Sequence, residues 1–323
     1  MKIGFSIKAL CASLAFASVL AAAPTLAAYP DRPVQMVIGY PPGGSADAVA
    51  RPLSVLLSKY LEQSVVVEYK AGAGAIIGTQ TVARANPDGY TVGLVLAAHA
   101  INPSLYKLPY DTAKDFTPIG KVASLPLALY VNSKFPVKTV QEFIDYAKKK
   151  PGEVSMASSG NGNTSHLAIE LLSSMAGIRV LHVPFKGGGP AQSALMGAQV
   201  DGLFDGPYSM NMVTTGRARL LGFASKERLS IAPEIPTIAE SGVPNFEVSG
   251  WYGLIGPAGM PKEVVAKLND AMRKAVADPK FKEIVEPLGY VIEPSSPEEF
   301  GAYVAQEQAR WSDVIRKANI KLD

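Results

Sequence analysis

Four glycine-rich segments punctuate this chain: Pro41-Pro42-Gly43-Gly44-Ser45, Ala71-Gly72-Ala73-Gly74-Ala75, Ser159-Gly160-Asn161-Gly162-Asn163 and Lys186-Gly187-Gly188-Gly189-Pro190. Each follows a strand-like run and precedes a helix-like one, which confines the fold to strand–turn–helix units. The first four N–H groups of a helix have no intrahelical partner, and the helix dipole makes that end attractive to an anion. Glycine lets the main chain approach a ligand closely. Any one such segment is also an ordinary strand-to-helix connection. Two lie early in the chain and two in its middle, so one pocket lined by all four forms most simply between two lobes.

The flanking pattern agrees. Val34 to Ile38 reads as a buried strand, and the helix after it carries Ala46, Val49, Ala50, Leu53, Leu56, Leu57, Tyr60 and Leu61 on one face, with Pro52 implying a kink or a short first turn. Ser64 to Tyr69 is the next strand, residues 75–85 the next helix, and Asn86-Pro87-Asp88-Gly89 a turn into the strand Tyr90 to Ala97. The alternation recurs with strands Glu153 to Ala157, Arg179 to Val183 and Gly202 to Asp205, and a helix from His166 to Ala176 stopped by Gly177. Alternating strand and helix argues for parallel sheets covered on both faces. Beyond Trp251 the chain reads as helical, ending in a long helix capped by Ser296-Pro297-Glu298-Glu299. These helices need a sheet to cover. The expectation is an α/β molecule of two lobes, lobe 1 from 29–127 plus 253–323 and lobe 2 from 128–252, with crossings near 125–130 and 225–253 acting as a hinge.

Lys2 and Lys8, an apolar stretch from about Ala9 to Ala23 and the small residues after Pro24 read as a cleavable secretory signal over residues 1–28, too short for a membrane span of about 20 residues. Cys11, the only cysteine, lies inside it and fits no lipoprotein cleavage site, so neither lipid anchor nor disulfide is expected. Removing the signal leaves 29 cations against 28 carboxylates. The longest basic run, Lys148-Lys149-Lys150, closes a helix that begins with the capping box Thr139-Val140-Gln141-Glu142. Nothing in this distribution suits a nucleic acid.

Nucleotide and catalytic motifs are missing. Gly72-Ala73-Gly74-Ala75-Ile76-Ile77-Gly78 misses the dinucleotide fingerprint by one residue, and no Walker lysine or G-x-S-x-G is present. His99, His166 and His182 lack metal-ligand spacing. Neither metal nor cofactor is expected. His166, at a helix start, either faces the cleft or bonds its own loop. Asp47 suits a first-turn cap. Asp205 ends a strand, where open α/β sheets bind ligands.

A run of motifs in order also resembles the periplasmic receptors of the tripartite tricarboxylate transporter family, the Bug or TctC receptors. They are Tyr40-Pro41-Pro42-Gly43-Gly44-Ser45-Ala46-Asp47 with Ala50-Arg51, Val67-Glu68 before Ala71-Gly72-Ala73-Gly74, Asn86 to Tyr90, Ser158-Ser159-Gly160 through His166-Leu167, and His182 to Gly187 with Gly189-Pro190-Ala191. Gln199-Val200-Asp201, Phe204-Asp205, Pro236-Thr237 with Glu240-Ser241-Gly242, and Trp251-Tyr252-Gly253 follow. The resemblance implies a two-lobed type II periplasmic binding protein, monomeric and not an enzyme, closing on a small organic carboxylate for an integral membrane transporter or a sensor protein. It implies that one carboxylate is held mainly by main-chain groups of Gly43, Gly44, Ser45, Ala46, Ala73 and Gly74 with bridging waters, beside Tyr40 and Asp47. Ser159, Asn163, Thr164, His166, Lys186, Gly187 and Asp205 would close over the rest. Where the family often has Asn-Arg-Pro or Asn-Lys-Pro and a double glycine, this chain has Tyr69-Lys70-Ala71 and Gly74-Ala75. Two other classes stay open: a receptor for an amino acid or other nitrogenous solute, which needs an acid such as Asp205 for the ammonium, and a secreted hydrolase, which needs a nucleophile–base pair in the cleft.

Overall fold

The computed structural model describes residues 29–185, 187–317 and 320, so the signal expected over 1–28 and the site candidate Lys186 lie outside the described residues. Its strands are β1 (Val34–Ile38), β2 (Val65–Tyr69), β3 (Thr91–Leu96), β4 (Phe116–Pro126), β5 (Ala128–Asn132), β6 (Ser155–Ser158), β7 (Leu181–Pro184), β8 (Gly202–Asp205), β9 (Ala218–Phe223), β10 (Ser249–Pro257) and β11 (Val291–Ile292). The helices are α1 (Ser45–Leu61), α2 (Ile76–Ala83), α3 (Ala98–Ile101), α4 (Val140–Lys149), α5 (Thr164–Ala176), α6 (Gly188–Met196), α7 (Asn211–Thr214), α8 (Lys262–Ala277), α9 (Pro279–Val285) and α10 (Pro297–Lys317).

Two sheets result. One has the order β11-β4-β10-β3-β1-β2 and the other β7-β6-β8-β5-β9. β1 is paired in parallel with β2 on one side and β3 on the other, and β6 likewise with β7 and β8. These are the points at which the chain changes direction along each sheet. Both sheets are mixed, because β10 runs antiparallel between β3 and β4, and β5 antiparallel between β8 and β9.

Three expectations need correction. The segment beyond Trp251 opens with the nine-residue strand β10 rather than a helix. The two sheets are mixed, not purely parallel. Finally, α1 runs continuously through Pro52. The strand escaped detection because Gly250, Gly253, Gly256 and Pro257 break its apolar pattern. Gly253 has a packing reason: a Cβ there would lie 2.1 Å from the ring of Phe300 on α10. Pro52 costs α1 a hydrogen bond, but a wall of Val49, Ala50, Leu53, Leu56 and Leu57 is buried against the sheet on either side of it and outweighs that loss.

The expected caps form. Thr139 Oγ1 accepts the Glu142 N–H (3.1 Å) and Glu142 accepts the Lys138 N–H (2.6 Å). Ser296 and Glu299 exchange two such bonds, 3.1 and 2.8 Å, at the head of α10. That helix packs on β4 and also reaches α5, and Trp251, Phe300, Trp311 and Ile315 share one buried cluster with Leu129, Phe143, Leu167 and Phe204. The apolar core is therefore continuous from one sheet to the other. Among the described residues no helix is long and apolar enough to cross a membrane.

At the foot of α1, Lys59 Nζ and the Tyr60 hydroxyl each donate to Asp278 Oδ2 at 3.0 Å, and the Lys280 N–H donates to Oδ1, tying α1 to the joint between α8 and α9. Donation from Lys59 first, then from the Lys280 amide and Tyr60, prevails over burial and holds the Asp278 carboxyl at about 2, down from 3.8. A depressed carboxylate contributes stability above its unfolded pKa and loses it as pH falls through the folded one. Thermal unfolding should therefore show a loss of stability between about pH 4 and pH 2 that is smaller in Asp278→Asn; identical pH profiles would refute it.

Candidate ligand-binding site

All four glycine-rich loops leave the carboxyl ends of strands: the first from β1, the second from β2, the third from β6 and the fourth from β7. Asp205 closes β8. The first and third loops thus sit at the two switch points, the position at which open α/β sheets present a crevice to ligands.

In the first loop, Gly43 adopts φ +85°, a left-handed conformation that favours glycine, and Gly44 is the N-cap of α1. The first intrahelical bond is Ala48 N–H to the Gly44 carbonyl, so the N–H groups of Ser45, Ala46 and Asp47 have no partner within the helix. The loop is shaped by Asp47. Its Oδ2 accepts the Gly43 N–H (2.9 Å) and Arg51 Nε (2.8 Å), and its Oδ1 accepts the Tyr69 hydroxyl. Burial acts to raise this carboxyl, but the bonds from Arg51, Tyr69 and Gly43 together lower it below the ordinary value. Asp47 is therefore an anion that fixes the loop rather than the helix cap its sequence position suggested, the cap position being Gly44 with no side-chain cap bond. The Ser45 carbonyl accepts the Tyr290 hydroxyl (2.8 Å). Tyr40 packs against the core of the larger sheet, and burial, with the Tyr252 and Tyr110 hydroxyls nearby, raises its phenol.

The second loop is a run of left-handed residues: Gly72 (φ +138°), Ala73 (+48°), Gly74 (+62°) and Ala75 (+73°). For Ala73 and Ala75 this conformation costs about 1–2 kcal/mol each. It is imposed by close packing. A Cβ on Gly39 would lie 2.6 Å from the Ala75 Cβ, and one on Gly78 would lie 2.7 Å from the Gly39 Cα, so α2 rests directly on the end of β1. Asn102 Nδ2 donates to the Gly74 carbonyl (2.9 Å) and holds the apex. Two of the residues at which the chain departs from the resembled pattern help shape this wall: Tyr69 bonds Asp47, and Ala75 adopts a left-handed conformation.

The third loop is a closed ring of bonds. Asn163 Oδ1 accepts the His166 N–H (3.1 Å) and the Ser165 hydroxyl (2.8 Å), and Asn163 Nδ2 donates to Ser159 Oγ (2.6 Å). Ser165 Oγ accepts the Ser159 N–H at 3.0 Å. The first bond of α5 runs from Leu167 N–H to the Asn163 carbonyl, leaving Thr164 and Ser165 N–H without intrahelical partners. His166 Nδ1 accepts the Gly162 N–H (3.0 Å), so the ring carries no proton there and bonds its own loop, the second of the two roles the sequence allowed. It stacks on His182 with centroids 3.8 Å apart. The Gly187 N–H donates to the Ser159 carbonyl (3.2 Å), joining the fourth loop to the third.

Asp205 is buried, and its four acceptor positions are filled by the chain. Oδ1 accepts the Gly206 N–H (2.9 Å) and the Tyr208 hydroxyl (2.5 Å); Oδ2 accepts Gln192 Nε2 (2.8 Å) and Ser209 Oγ (2.9 Å). Burial first, then Asp205 and the Tyr252 hydroxyl of the other sheet, raises the Tyr208 phenol. Tyr208 with Pro207, whose ring would lie 2.4 Å from a Cβ on Gly289, brings the two sheets together at this edge. The structure thus unites the candidates in two groups, the first and second loops on the larger sheet and the third, fourth and Asp205 on the smaller. Tyr69, Gln192, Tyr208 and Tyr290 were not among the sequence candidates; Tyr69 follows Val67-Glu68, Gln192 follows Ala191 and Tyr208 lies three residues past the end of β8, and only Tyr290 lay far from a recognised motif.

Ser158 Oγ and His182 Nε2 lie 2.6 Å apart, a nucleophile–base distance. Ser158 is 0% exposed, and its hydroxyl also donates to the Gly160 carbonyl (3.1 Å), so it presents no atom to the solvent. A cavity of about 460 Å³ lies elsewhere, along β4, β11 and the connection from β9 to β10. Its four glutamates, Glu227, Glu247, Glu286 and Glu293, outnumber its three cations, which makes it a poorer seat for an anion than the loop ends.

Two outcomes are expected. Asp47→Asn leaves Tyr69, Arg51 and Gly43 facing a neutral amide and should lower the unfolding free energy in denaturant by about 1–3 kcal/mol; no loss would remove Asp47 from its organising role. Burial, then the neighbouring His166, pushes His182 from 6.5 down to about 4 against the opposing effect of Glu170. Below 6.5 the unfolded chain binds the proton and the folded one does not, so stability should fall between about pH 6.5 and pH 4 and flatten there in His182→Gln. NMR detection of a His182 titration near 6.5 would contradict this.

The model of the tripartite tricarboxylate transporter family receptor matches residues 49–320. BugT of Bordetella pertussis is 34% identical over 91% of this chain and 91% of its own. R. palustris Rpa4515 with adipate superimposes with a TM-score of 0.81 at 32% identity, covering 91% of this chain and 99% of that one. MatC of Rhodopseudomonas palustris with bound malate gives a TM-score of 0.75 at 32% identity, covering 89% and 100%.

Proposed function

Because the chain belongs to the tripartite tricarboxylate transporter family of receptors, a family of periplasmic solute-binding proteins, we propose that it captures a small organic di-, tri- or aromatic carboxylate in the periplasm and presents it to a membrane transporter or a sensor. Residues 29–127 with 253–323 act as one lobe and 128–252 as the other, and closure of the two encloses the ligand. The observation that carries this reading is the pair of helix N-termini at the two switch points, with the N–H groups of Ser45, Ala46 and Asp47 on one sheet and of Thr164 and Ser165 on the other left without intrahelical partners. One ligand carboxylate lies on Gly43, Gly44, Ser45 and Ala46 with the wall at Ala73 and Gly74; Ser159, Asn163, Thr164, Gly187 and Lys186 cover the remainder. Asp47, His166 and Asp205 position these loops.

Four or five charge-assisted bonds of about 1.5–3 kcal/mol each, less the cost of ordering loops and closing, are enough for a micromolar complex near −8 kcal/mol. Asp205 weighs against the amino-acid alternative, since its oxygens already accept four donors and offer an ammonium nothing. The bound adipate and malate of the two relatives set the class to test first.

A thermal-shift and calorimetric panel of adipate, malate, citrate, benzoate, glutamate and glucose should show stabilisation by one class of carboxylate and none by glucose. At a hundredfold excess over Kd the gain is about 2.7 kcal/mol, a rise of a few degrees. A shift by glutamate alone replaces this reading with the ammonium one, and no shift by any carboxylate refutes it.

A further inference from the structure

The outer flank of α1 carries an apolar groove that adjoins the first ligand loop. Pro52, Val55 and Leu56 of α1 face Ile284 of α9 across a cavity of about 520 Å³ whose floor is Ala48 with Gly43 and Gly44. Val55 is 68% and Ile284 49% exposed. Contiguous open apolar side chains of this kind mark surfaces that another molecule covers.

The charges around the groove say what kind of molecule. Two cations stand at it, Arg51 and Lys280. The one carboxylate in its wall, Asp47, is buried and spent on Gly43, Arg51 and Tyr69. Among the described residues no carboxylate lies within ion-pair distance of Lys280, and Arg51, 62% exposed, uses only Nε, its two Nη groups having no hydrogen-bond partner. An apolar trough with unspent cations at its edge complements an apolar side chain flanked by carboxylates.

We propose that this groove docks a segment of a membrane-transporter subunit that presents a large apolar residue beside one or more Asp or Glu. That the partner is a transporter subunit rests on the receptor reading; the groove's chemistry does not. Because Gly43 belongs both to the groove floor and to the first ligand loop, and Asp47 holds Gly43 and Arg51 with one oxygen, a carboxylate reaching Arg51 senses the loop that receives the ligand.

The test replaces Val55 in the full chain with photo-reactive p-benzoylphenylalanine in the bacterium that makes it, and maps the irradiated adduct by mass spectrometry. One adduct, to an apolar segment of a membrane protein containing Asp or Glu, is expected, reduced at least tenfold by Lys280→Glu or Ile284→Asp. Purified Ile284→Asp and Lys280→Glu should bind the carboxylate found by the panel with Kd changed less than twofold while uptake falls at least tenfold. An adduct to a second copy, to lipid or to a segment without a carboxylate, no adduct at all, or lost ligand binding in these variants overturns the proposal. If the panel finds no carboxylate but the adduct forms, the receptor reading fails and the groove stands.

Discussion

A helix has no internal partner for its first N–H groups, and this molecule turns that deficit outward twice, at the head of α1 beyond β1 and at the head of α5 beyond β6. The bonds around those two points fix the loops that carry the donors. In the first loop a buried carboxylate takes the amide of Gly43 and leaves those of Ser45, Ala46 and Asp47 without a partner in the helix. In the third, Asn163, Ser159 and Ser165 bond one another and spare Thr164.

Two charged groups near the loops face inward. Asp47, in the first turn of α1, and Asp205, at the end of β8, are both buried, and each accepts three or four bonds. Asp47, held below the ordinary carboxylate value, opposes a ligand carboxylate less because its charge is spread over three donors. His182 complements the two carboxylates by staying neutral over the range in which an ordinary histidine charges.

How much of this was legible in the sequence depends on the range of each interaction. The loops, β1, α1, the two capping boxes and the strand end at Asp205 are local patterns of period, cap and glycine, and all were readable. β10 was not, because Gly253 admits the Phe300 ring from nearly fifty residues away, and such a contact leaves no periodic trace. Tyr69 and Arg51 escaped for the same reason: their meaning lies in convergence on one carboxylate, and only Arg51 is near it in the chain. Ser158 and His182 show the opposite hazard, a pair whose distance suggests chemistry and whose burial removes it.

The position of β10 has a further consequence for how the chain assembles. It fills the space between β3 and β4, both of which precede it by well over a hundred residues, whereas β5 to β9 are consecutive. During synthesis the smaller sheet is complete by Phe223, while the larger remains split into a three-stranded piece and a lone long strand until residue 257 has emerged. Loop closure of that span is slow and entropically costly. The smaller sheet can thus serve as a template that draws β4 and β10 together, and truncation anywhere before β10 leaves an open edge on β3, the kind of exposed ladder that seeds aggregation.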